Sequence, residues 1–315
     1  MPRPEPRPAQ AVTNERANAR LFHHSVYTPR RIAMARERRG LSVSVCLPAR
    51  ECANTVGEIV SELVRLRGAG ALDEIVVVDA ASRDGTASVA AGAGARVYQE
   101  AELLPAYGPV LGKGDAMWRA QSVLGGELIC FLDADTKSFR GHFLTGLLGP
   151  LLCEPGVSFV KGYYRRPLTA GGFSLVDGGG RVNHLLARPA LALFYPPLGA
   201  VRQPLAGEIA ARRDLLERLP FTTGYGVEIG MLIDAWHELG LDGIAQVDLE
   251  ERRNRHQPLA ALSSMALAVL ATITTRLERE GRLTGPASGA ALGGDPELDG
   301  ALVERPPLAG AGVAA

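Results

Sequence analysis

Two aspartates spaced i, i+2 close the apolar run Ile129-Cys130-Phe131-Leu132-Asp133-Ala134-Asp135-Thr136. A carboxylate pair just past a strand end can hold a hard cation through oxygen, and that cation can hold a diphosphate. Acids are expensive to bury, so their placement behind an apolar run needs a reason. A second acid, Asp79, ends Ile75-Val76-Val77-Val78 and can accept a hydrogen bond from a nucleoside ribose or base. The competing reading of such residues is a helix cap or turn, which suffices for Asp84-Gly85-Thr86. Gly112-Lys113-Gly114 places one cation between two flexible residues at a helix start, a cradle for an anion. The longer glycine-lysine-hydroxyl phosphate loop of NTPases is absent.

Other candidates lie further along. Arginine's fork matches phosphate and carboxylate oxygens, and Arg165, Arg166, Arg181 and Arg188 are clustered in sequence. Arg181 is singled out because Gly178-Gly179-Gly180 before it lets a ligand approach backbone amides. Of the six histidines, His256 in Asn254-Arg255-His256-Gln257-Pro258 follows a strand and is the ligand candidate. His23-His24 is assigned no role, and His142, His184 and His237 read as surface residues.

The elements that must position these residues alternate. Strands are expected at 42–47, 75–79, 96–98 and 128–132, with helices at 55–66, 86–91 and 113–122 between them. That grammar means an α/β fold with a doubly wound, mainly parallel sheet. Pro48-Ala49-Arg50-Glu51, Asp79 and Asp133-Ala134-Asp135 all fall at carboxyl ends of strands, where such sheets bind ligands, so they should share one crevice. Further strands are expected at 157–164 and 244–249, and an amphipathic helix from Gly224-Tyr225-Gly226-Val227-Glu228 to Leu239. The expected organisation is a disordered tail (1–20), a helical extension (21–40), a doubly wound first half (41–165), a less regular second half with a C-terminal helix (166–280) and a Gly/Ala/Pro-rich disordered tail (281–315).

Composition excludes several classes. The 34 basic and 34 acidic residues of this 315-residue chain cancel, which argues against nucleic acid or an anionic membrane surface as partner. Cys46, Cys52, Cys130 and Cys153 are widely spaced and read as reduced thiols of a cytoplasmic protein. Polar interruptions by Ser263, Ser264, Thr272, Thr274 and Thr275 make 259–277 a packed helix rather than a membrane span, and a candidate dimer face.

The order Leu47-Pro48-Ala49-Arg50-Glu51, Val78-Asp79, Gly112-Lys113-Gly114, Asp133-Ala134-Asp135, Gly178-Gly179-Gly180-Arg181-Val182, Gln203-Pro204-Leu205-Ala206-Gly207-Glu208 and Gly224-Tyr225-Gly226-Val227-Glu228 resembles one family over residues 40–277. It is similar to the actinobacterial glucosyl-3-phosphoglycerate synthases and related mannosyl enzymes, retaining glycosyltransferases of the GT-A (Rossmann-like) fold. The resemblance implies glucose transfer from UDP-glucose to D-3-phosphoglycerate, with GDP-mannose as the alternative donor, assisted by Mg2+ or Mn2+. It implies that Pro48, Ala49, Glu51, Asp79, Lys113, Asp133 and Ala134 hold the nucleotide sugar and that Glu228 holds sugar hydroxyls. Asp135 becomes the metal ligand, and the Leu205 carbonyl is set near the anomeric carbon. Gly180, Arg181, Val182 and Asn183 face the acceptor.

Two departures stand out. The family pattern is His-Arg-Asn where this chain has Asn254-Arg255-His256, so His256 is taken as the second metal ligand, with Asn254 as the alternative. Asn183 replaces a threonine, and its amide can still hydrogen-bond an acceptor. A haloacid-dehalogenase-type phosphatase, with Asp133 as nucleophile and Asp135 as acid/base, is the other enzyme class the Asp-Ala-Asp run allows. Against it, that motif normally follows the first strand. A nucleotide-sugar binding module without turnover is the third reading.

Overall fold

The structure, a computed structural model, describes residues 20–137, 139–170, 173–175, 178–253, 259–283 and 302–310. The first half runs β1 (Leu21–His23), α1 (Pro29–Arg39), β2 (Val43–Ala49), α2 (Ala53–Gly68), β3 (Glu74–Asp79), α3 (Thr86–Gly92) and β4 (Arg96–Gln99). It continues with α4 (Lys113–Ala120), β5 (Leu128–Phe131), α5 (His142–Cys153) and β6 (Phe159–Arg165). A hairpin of β7 (Leu168–Ala170) and β8 (Phe173–Leu175) precedes a wide helical turn, Asn183–Ala187, that runs into α6 (Arg188–Phe194). The remainder is β9 (Ile209–Arg212), α7 (Arg213–Leu216), β10 (Phe221–Thr222), α8 (Val227–Leu239), β11 (Ile244–Glu251), α9 (Leu259–Arg279) and β12 (Glu304–Arg305).

Eight strands form one sheet in the order β1-β11-β6-β9-β5-β2-β3-β4. All neighbours are parallel except β9, which is antiparallel to both β5 and β6. The period-2 alternation of buried strands divides the core into two layers. Val43, Val45, Leu47, Ile75 and Val77 face α1, α2, α3 and α5. Cys46, Val76, Val78, Ile129 and Phe131 face α4, α6, α8 and α9. Helices on both faces make this the expected doubly wound sheet. The antiparallel β9 is what the sequence did not announce. Because it runs backwards, its start rather than its end lies at the ligand edge, which brings Gly207 and Glu208 there.

Three expectations change. Residues 21–40 are not wholly helical: Leu21–His23 extends the sheet beside β11, and only Pro29–Arg39 is helix. Thr28 accepts from Arg31 N at its start, Pro29 is the first helical residue, and Gly40 closes it in the left-handed region at φ 64°. The tail from 281 is not structureless throughout, because β12 pairs antiparallel with β10. Specific polar contacts hold it despite its composition: Arg305 bonds buried Asp115, and Trp118 Nε1 donates to Pro306 O at 2.8 Å. Finally, the apolar stripe of α9, with Val269, Ile273 and Leu277, is buried within the chain's own core rather than left for a partner. No helix among the described residues is long and apolar enough to cross a membrane. Residues 1–19, Ser138 and the loop carrying Asn254 and His256 lie outside the described residues.

Candidate active site

At the carboxyl edge of the sheet, charges from both halves of the chain interlock. Lys113, the first residue of α4, reaches Asp133 Oδ1 at 2.5 Å and Glu228 Oε1, at the start of α8, at 2.7 Å. Burial alone would lower the lysine's pKa, but the two carboxylates outweigh it and hold the ammonium charged. Arg252, just past β11, completes the cluster. Its Nη1 lies 2.9 Å from Asp133 Oδ2, its Nη2 2.6 Å from Asp135 Oδ1, and its Nε 3.3 Å from Glu208 Oε1. Lys113 and Arg252 keep the Asp133 carboxyl far below its ordinary range against the opposing effect of burial. Glu208 goes the other way: burial raises it despite Arg252, and Tyr164 OH donates to its Oε2 at 2.6 Å.

The backbone is shaped to permit this packing. A Cβ on Gly207 would stand 2.4 Å from Asp133 Oδ1 and 2.6 Å from Lys113 Nζ. A Cβ on Gly114 would stand 1.9 Å from Thr222 O, so only glycine lets α4 approach β10 this closely. The preceding loop is tethered residue by residue. Gln203 bonds the Tyr164 backbone, Asn183 Oδ1 accepts from Leu205 N at 3.4 Å, and Lys161 Nζ donates to Ala206 O at 2.8 Å. Lys161 is fully buried in β6, and burial pulls its pKa down to about 8. Ala134 O accepts from Thr55 Oγ1 at 2.6 Å, which fixes the peptide between the two aspartates to α2.

A second set of residues lies at the ends of β2 and β3. Pro48 and Ala49 end β2, and Glu51 follows at φ 51°, in the left-handed region rarely used by side-chain-bearing residues. Glu51 N donates to Ser82 Oγ and Arg83 N returns a bond to Glu51 Oε1, both at 2.9 Å, so the two loops brace one another. Asp79 is buried; its Oδ2 accepts from Ser82 N and Gln99 Nε2, each at 3.1 Å. Its Oδ1 is buried with no hydrogen-bond partner, an orphan acceptor of the kind a ligand donor satisfies.

A third region is an open cleft of about 580 Å³ lined by Tyr163, Tyr164, Arg165, Arg166, Gly179, His184, Arg188, Arg202, Gln203 and Asp248. It adjoins the carboxylate cluster through Tyr164, whose OH accepts from Arg252 Nη1 at 3.0 Å. Arg202 lies 4.8 Å over the Tyr163 ring. Of the residues expected around the acceptor, Gly180 takes φ 69° and its carbonyl accepts from His184 N. Val182 is buried. Arg181 opens the same helical segment but does not line the cleft as the arginines named above do. Asn183 differs most from expectation. Its amide turns inward to Arg202 O, at 3.3 Å, and to Leu205 N, so it holds the loop rather than facing the cleft.

Arg252, Tyr164 and Lys161 were not among the residues expected in the site, and Glu208 was expected only as the end of its motif. Arg252 had a usable signal, a cation immediately after an apolar strand. Lys161 and Tyr164 were hidden inside a run read as strand, where a buried lysine is itself an anomaly.

Residues 44–169 match the family described as glycosyl transferase family 2. Over 272 residues the chain is 44% identical to glucosyl-3-phosphoglycerate synthase of Mycolicibacterium smegmatis, covering 85% of this chain and 89% of that one. The chain belongs to the glucosyl-3-phosphoglycerate synthase family. Its fold is accordingly the GT-A glycosyltransferase fold, and the phosphatase reading of Asp133-Ala134-Asp135 gives way. In a member of this family, Asp133 clasped between Lys113 and Arg252 is part of a charge cluster, not a free nucleophile. Two solved structures agree over nearly the whole chain. Mannosyl-3-phosphoglycerate synthase from Rubrobacter xylanophilus superposes with a TM-score of 0.84 at 45% identity, covering 93% of this chain and 98% of that one. Glucosyl-3-phosphoglycerate synthase from Mycobacterium tuberculosis, in complex with Mn2+, UDP-glucose and phosphoglyceric acid, superposes with a TM-score of 0.79 at 39% identity, covering 92% and 97%.

Proposed function

We propose that this enzyme transfers glucose from UDP-glucose to D-3-phosphoglycerate with retention, giving glucosyl-3-phosphoglycerate. The observation that carries the reading is the convergence of Asp133 and Asp135 on one cation, Arg252, beside the Lys113–Glu228 pair and at the mouth of an arginine-lined cleft. Two carboxylates already turned toward a positive charge fit a hard divalent ion, Mg2+ or Mn2+. Asp135 would hold it, with His256 or Asn254 as its partner. Once bound, such an ion offsets charge growing on the departing diphosphate.

The chain's own groups then have distinct tasks. The Asp79 Oδ1 acceptor and the braced Pro48–Glu51 segment hold the nucleoside. The Lys113 ammonium, kept charged by Asp133 and Glu228, is preorganised against the diphosphate. Glu228 Oε1, fixed by Lys113, accepts from sugar hydroxyls. The loop tethered by Asn183 and Lys161 presents the Leu205 carbonyl near the anomeric carbon. The arginines of the cleft grip the phosphate and carboxylate of the acceptor, and Arg181 stands at the start of the adjoining helical segment rather than in the cleft lining. The acceptor hydroxyl attacks from the face the diphosphate leaves, so no enzyme nucleophile is required.

The test is to incubate the protein with 3-phosphoglycerate and, separately, UDP-glucose, GDP-glucose and GDP-mannose, with Mg2+, with Mn2+ and with excess chelator. Mass and NMR of the product from UDP-glucose should give an α-linked glucosyl-3-phosphoglycerate, and chelator should abolish it. Transfer from GDP-mannose alone would establish the mannosyl reading, which the superposition on the Rubrobacter enzyme keeps in play. Donor binding by calorimetry with no product would establish the binding module. A cytoplasmic homodimer belongs to the same proposal: all four cysteines are free, and Leu185 and Leu193 stand 78% and 71% exposed. Light scattering at assay concentration tests the dimer.

A further inference from the structure

His23-His24 carries no expected role, yet the fold delivers both to one acidic residue at the far edge of the sheet. β1 ends on His23 opposite Asp248 of β11, and β11 then breaks register between Asp248 and Glu251. Within that break Glu250 adopts φ 66°, a conformation that side-chain-bearing residues rarely adopt, and Asp248 Oδ1 accepts from its N–H at 2.8 Å. Such a bulge re-aims a side chain, and here it places Glu250 Oε1 3.0 Å from His24 Nε2. One ligand atom from each of His23, His24 and Glu250 lies within 4.8 Å of the others.

Three further observations point to a bound ion rather than a simple ion pair. His24 Nε2 is buried, and no hydrogen bond is aligned on it despite the nearby carboxylate. The His24 ring is held by stacking between His23, at 4.6 Å, and His142, at 4.2 Å, whose own Nε2 lies 3.1 Å from Leu249 O. His23 Nδ1 accepts from Ser25 N at 3.2 Å and lies 2.8 Å from Ser25 Oγ; to bind an ion through Nε2 the ring takes the other tautomer and donates from Nδ1 to Ser25 Oγ, the orientation that metal-bound imidazoles use. Two ligands on a tetrahedral zinc with bonds near 2 Å stand about 3.3 Å apart, close to the His24–Glu250 separation. Two imidazoles and one carboxylate suit zinc-class ions, not magnesium.

We propose that His23, His24 and Glu250 form a second metal site, taking a zinc-class divalent cation with water in the fourth position. The ion ties β1 to β11 two residues before Arg252, and so braces the strand that delivers that guanidinium to Asp133 and Asp135.

The test uses chelator-stripped full-length protein carrying Asp135→Ala, which weakens the proposed catalytic metal site. Titration with Co2+ should give the visible absorption of a tetrahedral ion, saturating at one equivalent and displaced by Zn2+. Adding His24→Ala or Glu250→Gln should erase that equivalent, as should His23→Ala at an exposed residue whose loss leaves the core untouched. Zn2+ should raise the melting temperature of the Asp135→Ala protein and leave the His23→Ala double variant unchanged. Failure to bind one equivalent, or an equivalent that survives His23→Ala and His24→Ala, overturns the site. Neither result bears on glucose transfer, so the two readings fail separately.

Discussion

One glycine shows how tightly the proposed transfer site is built. Gly207 lies against Asp133 and Lys113 with no room for a methyl group. Gly207→Ala must push the ammonium or the carboxylate aside, and a displacement near 1 Å at a reacting centre costs roughly 100-fold in rate. Turnover of Gly207→Ala should therefore fall about that far while its circular dichroism stays native; a variant within a few-fold of wild type would show that the cluster tolerates movement. Glu100 makes a different point. It is 3% exposed, one of its oxygens has no partner, and burial together with Asp115 raises its pKa to about 7. A carboxyl raised on folding contributes stability that is fully present below its unfolded value near 4.5 and is lost as pH climbs through 7. At about 1.4 kcal/mol per unit this amounts to about 3 kcal/mol. Urea melts at pH 5 and pH 8 should show wild type losing stability relative to Glu100→Gln as pH rises, and parallel behaviour of the two proteins would contradict the assignment.

Among the elements, β12 has the least obvious task. Arg305 bonds both oxygens of Asp115, at 2.8 and 2.7 Å, and the carbonyls of Tyr107 and Pro109 at 2.6 and 3.0 Å. Asp115 in turn accepts from Leu111 N at 3.0 Å, so this strand pins the loop that leads into Lys113. Removing one partner of a buried charge pair destabilises by about 3–5 kcal/mol, reduced here because Arg119 still holds Asp115. Arg305→Ala should therefore raise the donor KM more than it lowers kcat, with Arg305→Lys restoring part of the loss. An unchanged donor KM alongside a lowered melting temperature would reduce β12 to a staple. The same element shows where sequence reading stops. The alternation of β2, β3, β4 and β5 was legible because apolar strands and helices are local patterns, and it carried Asp79, Lys113 and Asp133 with it. β12 was not, because a two-residue strand in a Gly/Ala/Pro-rich tail has no period and its order comes from distant partners. β9 was illegible for a related reason: nothing in Ile209–Arg212 encodes its direction, and direction alone brings Glu208 to Arg252. Asn183 was visible as a substitution, but only packing shows that its amide faces Leu205 and Arg202.

At the scale of the whole molecule, a formal charge of zero hides two unlike fields. Around the proposed donor site Asp133, Asp135, Glu208 and Glu228 meet Lys113, Lys161 and Arg252, so the cluster is close to internally compensated. A dianionic diphosphate gains little there from bare Coulomb attraction, which is why a divalent cation fits the chemistry. The neighbouring cleft is different. Arg165, Arg166, Arg188 and Arg202 line it, with Asp248 the one acid among the described lining residues, and it is open to solvent. With no net charge to steer ligands from a distance, attraction of a trianionic acceptor depends on this local field, which mobile ions screen over about 8–10 Å. Raising NaCl from about 0.05 to about 0.5 M shortens the screening length to a few ångströms. The acceptor KM should then rise several-fold, while kcat and, at saturating Mn2+, the donor KM change by less than about twofold, because buried pairs are screened much less than exposed ones. Steady-state kinetics with 3-phosphoglycerate varied at each salt concentration decide the matter. If the donor KM climbs in step with the acceptor KM, the two fields are not separable and the buried cluster is more open to solvent than its packing implies.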